Sequence, residues 1–367
     1  RYWILGARYG INEVFCRFLK IYYVRIMNYF KNAIVVAIFI GLLFAAEKLL
    51  PSFWLTLLLL FGINTILAVS LNITNGWANL FSIGHGGIML AGGYAAAFLT
   101  LPVAFKRDII DLALPAIILN NQVPFLPALL IGGIAGALFG VVLALPAMRL
   151  KGLYFILATL GLNFITITIV ENIPDVTNGA MGLRQFPAHT NIWWVWGIAF
   201  LLIVICLRLR RSFFGRALIT IGQDQDMAEH MGVNLLRYKV YAFGLSSFFT
   251  AIGGILWIHL ILNLYPRVFG LHLIFNVVTM IVIGGLGSIS GAVIGAAFIT
   301  GFVEILSPIE EGFSFFGLFE VPRMLGLTTL LLAAFMIIIL VLRPEGIMGN
   351  REFSLSRLKR AIFKTTH

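Results

Sequence analysis

The side chains able to do chemistry are sparse in this sequence, and their spacing matches no familiar reaction centre. Six histidines (His85, His189, His230, His259, His272 and His367) lie far apart. The two cysteines, Cys16 and Cys206, give neither a disulfide framework nor a metal-ligand spacing. A phosphate-cradling GxxxxGK[ST] loop is absent, as are GxSxG, HExxH and CxxC. These absences point away from an enzyme and from a nucleotide or metal site on this chain. Carboxylates and bases are also missing from the interiors of the long apolar runs. Ion-coupled carriers keep such groups there despite the cost of a charge in lipid, whereas Glu171, Glu304 and Arg149 fall near the predicted ends of runs. His85 is the exception. In NLFSIGHGG it reads either as a histidine hydrogen-bonded within a tightly packed glycine helix or as a pathway residue.

The elements that must position these groups are apolar helices. The 367 residues are 60% hydrophobic and 11% charged, with mean hydropathy +0.99, against about 25% charged in an ordinary soluble domain. One core cannot bury that much apolar surface, so the solvent is partly lipid. The net charge of +11 does not indicate nucleic acid, because Lys and Arg sit in short clusters flanking apolar runs, as in cytoplasmic loops. Residues 1–32 are such a basic segment, with Arg1, Arg8, Arg17, Lys20, Arg25 and Lys31 against Glu13 and no short apolar core of a signal peptide.

The first apolar run is Ala33 to Ala46. No charge then appears from Leu49 to Phe105, enough for two spans of roughly 20 residues each. The division falls at Leu71 to Gly87, where Asn72, Asn75 and Gly76 are poor helix formers and Gly84, Gly86 and Gly87 permit a broken backbone. Lys106, Arg107, Asp108 and Asp111 mark an external aqueous loop. In the run Leu112 to Met148, Gly132, Gly136 and Gly140 lie on one helix face and predict close packing. RLKG (Arg149 to Gly152) is a cytoplasmic turn before Leu153 to Val170. Ile192 to Leu207 opens with Trp193, Trp194 and Trp196, suited to an aromatic belt at the outer interface. After Val240 to Leu262, Phe275 to Ile283 runs into GGLGSISGAVIG, where Gly284, Gly285, Gly287, Gly291 and Gly295 predict a broken helix continuing to Ile305. Gly326 to Leu342 is the last span, and 343–367 is a basic tail. The fold is therefore an all-α polytopic membrane protein of about 8–10 transmembrane helices, some broken. Ten crossings put both termini in the cytoplasm around a membrane domain at 33–342.

The longest polar interval between these runs is Arg208 to Lys239. Within it Gln223 to Met231 predicts a short helix: Asp224, Gln225 and Asp226 favour its N-terminal end, Gly232 stops it, and Met227 and Met231 lie one turn apart as an adaptable apolar contact. The residues alone leave a docking helix and a solvated loop equally open.

Several stretches carry a resemblance. NLFSIGHGGIMLAGGYAAAFL (Asn79 to Leu99), RLKGLYFILATLG with TNGAMGL, GRALITIGQDQDMAEHMGVNLLRYKVYAFGLSS (Gly215 to Ser247), VIGGLGSISGAVIGA and RPEGIMG occur in the order and spacing of branched-chain amino acid ABC importer permeases, most like the M type. The resemblance covers roughly residues 55 to 349. The N-terminal segment, the Phe-rich loop Gly312 to Phe319 and the Tyr265 to Asn276 loop depart from the family pattern. It implies a multi-pass protein of the bacterial inner membrane, with an H-type permease partner, two ATP-binding cassette ATPases that carry the ATP and Mg, and an external solute-binding protein. It further implies ATPase coupling through Arg216, Asp224, Asp226, Met227, Glu229, Met231 and Gly232. The helix breaks, with Asn72, Asn75, His85, Gly86, Gly87, Gly284, Gly285 and Gly287, are the expected translocation pathway, since broken helices offer backbone dipoles to a zwitterion at membrane depth. Alternatives are a sister permease for urea or short amides, an ion-coupled carrier working alone, or a membrane scaffold. Replacing His85 or Gly87 by leucine is expected to reduce uptake without loss of membrane insertion. Unchanged uptake kinetics in vesicles would count against a pathway at this break.

Overall fold

The structure is a computed structural model describing residues 37–109, 119–311, 314–315, 319–320, 326–349 and 352. The basic segment 1–32, Asp111, most of the Phe-rich loop and the basic residues of the tail beyond 352 lie outside the described residues. The chain divides into two compact units, residues 1–56 and 57–367. Of the first, the described part is helix α1 (residues 37–49) and the opening turn of α2 (Ser52–Asn72).

The second unit is built almost wholly from helices: the rest of α2, then α3 (His85–Thr100), α4 (Val103–Ile109), α5 (Phe125–Ala147), α6 (Leu153–Glu171), α7 (Ile192–Arg211), α8 (Phe213–Gln223), α9 (Gln225–His230), α10 (Leu235–Ile261), α11 (Leu271–Gly284), α12 (Ile289–Glu311) and α13 (Leu327–Leu342). Strands among the described residues are two residues long. Helices dominate because they satisfy every backbone group within the segment, as lipid requires. Seven helical segments among the described residues are long and apolar enough to cross a membrane, and α13 is a shorter apolar helix. The expected 8–10 spans are reached only by adding shorter helices, of which α3 has 16 residues.

The glycines at 132, 136 and 140 do what their spacing predicts. A methyl group on Gly132 would lie 2.9 Å from both the Gly92 carbonyl and Ala96 Cβ, and one on Gly140 would lie 2.9 Å from Ser247 Cβ. Helix α5 thus runs antiparallel to both α3 and α10. These two lie parallel: Gly92 meets Ala251 as His85 meets Ser246 and Thr100 meets His259. The three helices form the tightest part of the core.

The second glycine cluster departs from expectation. Helices α11 and α12 are not one broken helix but an antiparallel hairpin. Gly284 packs on Gly291 and Met280 on Gly295, with no room for a Cβ between them. The chain reverses at Gly285 (φ +118°) and Gly287 (φ +85°), backbone that side chains other than glycine's adopt only with strain. The RPEGIMG segment closes this turn from below. The Ile347 and Met348 amides donate to the Ile283 and Gly284 carbonyls (2.8 and 3.0 Å), the last groups of α11.

These contacts sort the unit into two ends. Residues 72–79, 149–151, 208–239, 285–289, 343–349 and 352 gather at one end, linked by Asn79–Gly222, Lys151–Asp226, Arg210–Glu352 and Glu352–Ile289 contacts. The other end holds Glu171 with Arg267, the Leu183–Leu264 strand pair and Glu310 with Gly326. The first is rich in Arg and Lys, and basic residues close α7 where the helix dipole favours them.

Two further expectations change. Lys106 is not in an aqueous loop: it lies on α4, fully buried, and donates to the Asn121 carbonyl (2.9 Å), with burial lowering its pKa from the usual lysine value. Trp196 leaves the expected aromatic belt and turns inward beside Phe61 (ring centroids 5.1 Å), where Gly62 leaves space for it. Gly92→Val would place Cβ 2.6 Å from Ala251 Cβ. Such overpacking costs about 1–3 kcal/mol, so a lower melting temperature in detergent is expected. Gly161→Ala, inside α6 with open space around it, should leave melting unchanged or raise it, since alanine favours a helix interior over glycine by about 0.5–1 kcal/mol.

Candidate functional site

Helix α2 does not stop cleanly. It widens into a π-turn, Ile73–Trp77, and the chain then runs without regular structure to His85. Side chains must satisfy the backbone freed there. Asn72 Nδ2 donates to the Ser288 carbonyl (2.9 Å), its Oδ1 accepts from the Gly287 amide (2.8 Å), and Trp77 Nε1 donates to the Gly287 carbonyl (3.0 Å). Asn75 Oδ1 accepts from Ser82 N (3.0 Å), and Thr159 Oγ1 accepts from Ile83 N (3.2 Å). The two predicted breaks are therefore one structure, joined through Asn72. Gly284, Gly285 and Gly287 form its far side.

Helix α3 begins deep in the unit. His85 Nε2 lies 3.0 Å from Ser246 Oγ. Ser246 is 11 residues into α10 (246 − 235), about 16 Å along its axis. Ser246 Oγ donates to the Ser70 carbonyl (2.7 Å), while His85 Nδ1 has no partner among the described residues. Gly86 faces the Phe269 carbonyl and Asn163, and a methyl group on Gly87 would lie 3.0 Å from Thr166 Oγ1. Room here is small. The cavity lined by Gly84, Gly87, Gly140 and Thr159 measures about 20 Å³ and that beside His85 and Gly86 about 10 Å³, on the scale of one water.

The larger space lies elsewhere. A cavity of about 240 Å³ opens between α2, α10, α11 and α12. Its polar lining is Asn64, His272, Asn276, Thr300 and Glu304, and most of its wall is aliphatic, with Leu60, Leu273, Val277, Ile299 and Val303. Asn64 Nδ2 donates to Thr300 Oγ1 (2.8 Å). None of the pathway residues expected from sequence lines it. The polar groups had a legible signal: His272/Asn276 and Thr300/Glu304 are each one helical turn apart on otherwise apolar helices.

The polar interval Arg208 to Lys239 is mostly helical rather than loop. Ser212 caps α8, accepting from Gly215 N, and α8 is amphipathic, burying Ala217, Leu218 and Ile221. Its end touches the helix break: Gly222 packs on the Trp77 carbonyl, and Asn79 Nδ2 donates to the Gly222 carbonyl (3.2 Å). The short helix appears as α9. Asp224 Oδ1 accepts from Asp226 N and Met227 N (3.0 Å each), and Gly232 (φ +81°) ends the turn. Met227 and Met231 are 54% and 70% exposed, and Arg216, Asp226 and Glu229 also face outward. Beneath them Ala228 is buried and Lys239 Nζ donates to Gln225 Oε1 (3.0 Å).

The family described as branched-chain amino acid transport system / permease component matches residues 53–341. The chain is 24% identical to the high-affinity branched-chain amino acid transport system permease protein LivM of Escherichia coli, over 77% of this chain and 67% of that protein. It is 23% identical to the probable LivM of Methanocaldococcus jannaschii, over 84% and 96%. With the permease protein LivH of Escherichia coli it shares 23% identity over 78% and 91%. No solved structure matches. The extent of the family match, across all the spans from α2 to α13, makes this chain a member of the permease components of branched-chain amino acid transport systems.

Proposed function

We propose that the chain is the membrane-spanning subunit of an ATP-driven importer of branched-chain or closely related amino acids. It works beside a second permease of the H type, two cytoplasmic ATP-binding cassette ATPases and an external solute-binding protein, in a bacterial inner membrane. The observation that carries this reading is the seating of α9. It is a capped, solvent-facing helix that offers two exposed methionines, and α8 fixes it against the break at Trp77 to Asn79. A push on α9 is thereby delivered to the point where α2 is already broken.

The basic end faces the cytoplasm in this reading, in keeping with the excess of Arg and Lys there. ATP hydrolysis belongs to the partner ATPases, which agrees with the lack of a phosphate loop in this sequence. The clasp through Asn72 means that α2 and the α11–α12 hairpin move together when the break is displaced.

Replacing Asp224 to Glu229 by a Gly/Ser linker should leave ATPase activity in the purified complex but remove its link to uptake in proteoliposomes. Retained coupling would refute the role of α9. Gly222→Val, which forces α8 off the Trp77 carbonyl, should lower uptake per ATP hydrolysed while α9 itself stays intact.

A further inference from the structure

We infer that the cavity bounded by Asn64, Thr300 and Glu304 is a binding station for an aliphatic α-amino acid, with the ammonium on Glu304 and the hydrocarbon side chain on the α2–α11–α12 wall. This rests on the permease reading above and adds to it a place and a chemistry of recognition.

Size comes first. The cavity of about 240 Å³ is more than ten times larger than the spaces of about 20 and 10 Å³ beside Gly87 and His85, with room for leucine or isoleucine at about nine non-hydrogen atoms where those hold about one water. Urea would leave most of it to water. Polarity comes second. The lining separates into a few polar groups and a continuous aliphatic wall, the usual layout of a small-molecule site. The wall of Leu60, Leu273, Val277, Ile299 and Val303 gains by losing water to another aliphatic group, and Trp257 adds an aromatic face with one indole N–H donor.

Charge comes third. Glu304 makes no ion pair or hydrogen bond with any described residue. Asn64 turns its Nδ2 to Thr300 and leaves Oδ1 as a second acceptor. An ammonium carries three donors and no acceptor, so it matches this pair. On α11 the His272 ring is held on both sides by long 3.4 Å contacts, Nε2 with Asn276 Nδ2 and Nδ1 with Thr329 Oγ1, and the second N–H of the Asn276 amide is the donor left for the substrate carboxylate. A second, side-chain carboxylate would have to lie on the aliphatic wall near Glu304, which excludes acidic amino acids.

Position comes last. Glu304 and His272 lie toward the end of the unit that carries Glu171, Arg267 and Glu310, away from α9. The station is thus reached from the side opposite the coupling helix. Its inner boundary, Leu67 and Met280, lies on the two helices that Asn72 clasps.

The test uses the complete transporter, with Cys16→Ser and Cys206→Ala removing the native thiols and Val303→Cys placing one on the cavity wall. At a leucine concentration tenfold above its Kd, alkylation of that thiol by N-ethylmaleimide should slow about tenfold. Urea and 4-methylpentanoate, which lacks the ammonium, should give no protection, and Glu304→Gln should abolish the protection by leucine. Alkylation equally fast with and without leucine, or protection that survives Glu304→Gln, overturns the proposal. Should Val303→Cys prevent assembly, Leu273→Cys places the thiol on the aliphatic wall of the same cavity. ATP-driven leucine uptake by the unmodified complex in proteoliposomes separates the two levels. Uptake without protection removes only the station, whereas no uptake of any aliphatic amino acid removes the functional reading with it.

Discussion

One side-chain amide holds the two irregular parts of this membrane unit together. Asn72 accepts from the Gly287 amide and donates to the Ser288 carbonyl, so it finishes the backbone of a turn more than 200 residues away in sequence. The need is set by the solvent. In hydrocarbon an unpaired backbone group costs several kcal/mol, and a chain that breaks a helix at depth must import partners from elsewhere. Here a broken α2 and a reversed α11–α12 supply each other, with Trp77 as a second donor.

Around that joint the structure is stiff. The α3–α5–α10 core is packed through glycine, alanine and serine, so that backbone meets backbone and little can slide. The His85–Ser246–Ser70 chain pairs polar groups inside it, while His85 Nδ1 and Ser247 Oγ have no partner among the described residues. The looser region is the cavity flanked by α11 and α12, whose hairpin is anchored at its turn and has room beside its far half. In the proposed importer, rigid core, clasped break and adjoining space are the parts through which a push on α9 would be passed on.

Much of this was legible in the residues. The lipid-spanning class, the break at Asn72 to Gly87 and the close-packing face of Gly132, Gly136 and Gly140 follow from composition, propensity and spacing, whereas for Gln223 to Met231 the residues alone leave a docking helix and a solvated loop equally open. What escaped was set by tertiary context. Gly284 to Gly295 permits either a kinked helix or a reversal, and only the packing of Gly284 on Gly291 decides. Arg208 to Lys239 reads as a polar loop because its charges mask the apolar face of α8. Lys106 reads as solvated because its buried partner, the Asn121 carbonyl, is a backbone group with no sequence signature. The 240 Å³ cavity draws its polar lining from three helices, and no local window contains that convergence.

The closing of α11 by RPEGIMG bears on how the protein is made. The carbonyls of Ile283 and Gly284 receive their donors from Ile347 and Met348, residues that a ribosome adds only after the last span, α13. Until then the Ile283 and Gly284 carbonyls lack these donors, and the Asn72 joint rests on an unfinished turn. Completion of the membrane unit is thus postponed to the final stage of synthesis, and a nascent chain stalled before Arg343 would expose an incomplete helix end to quality control.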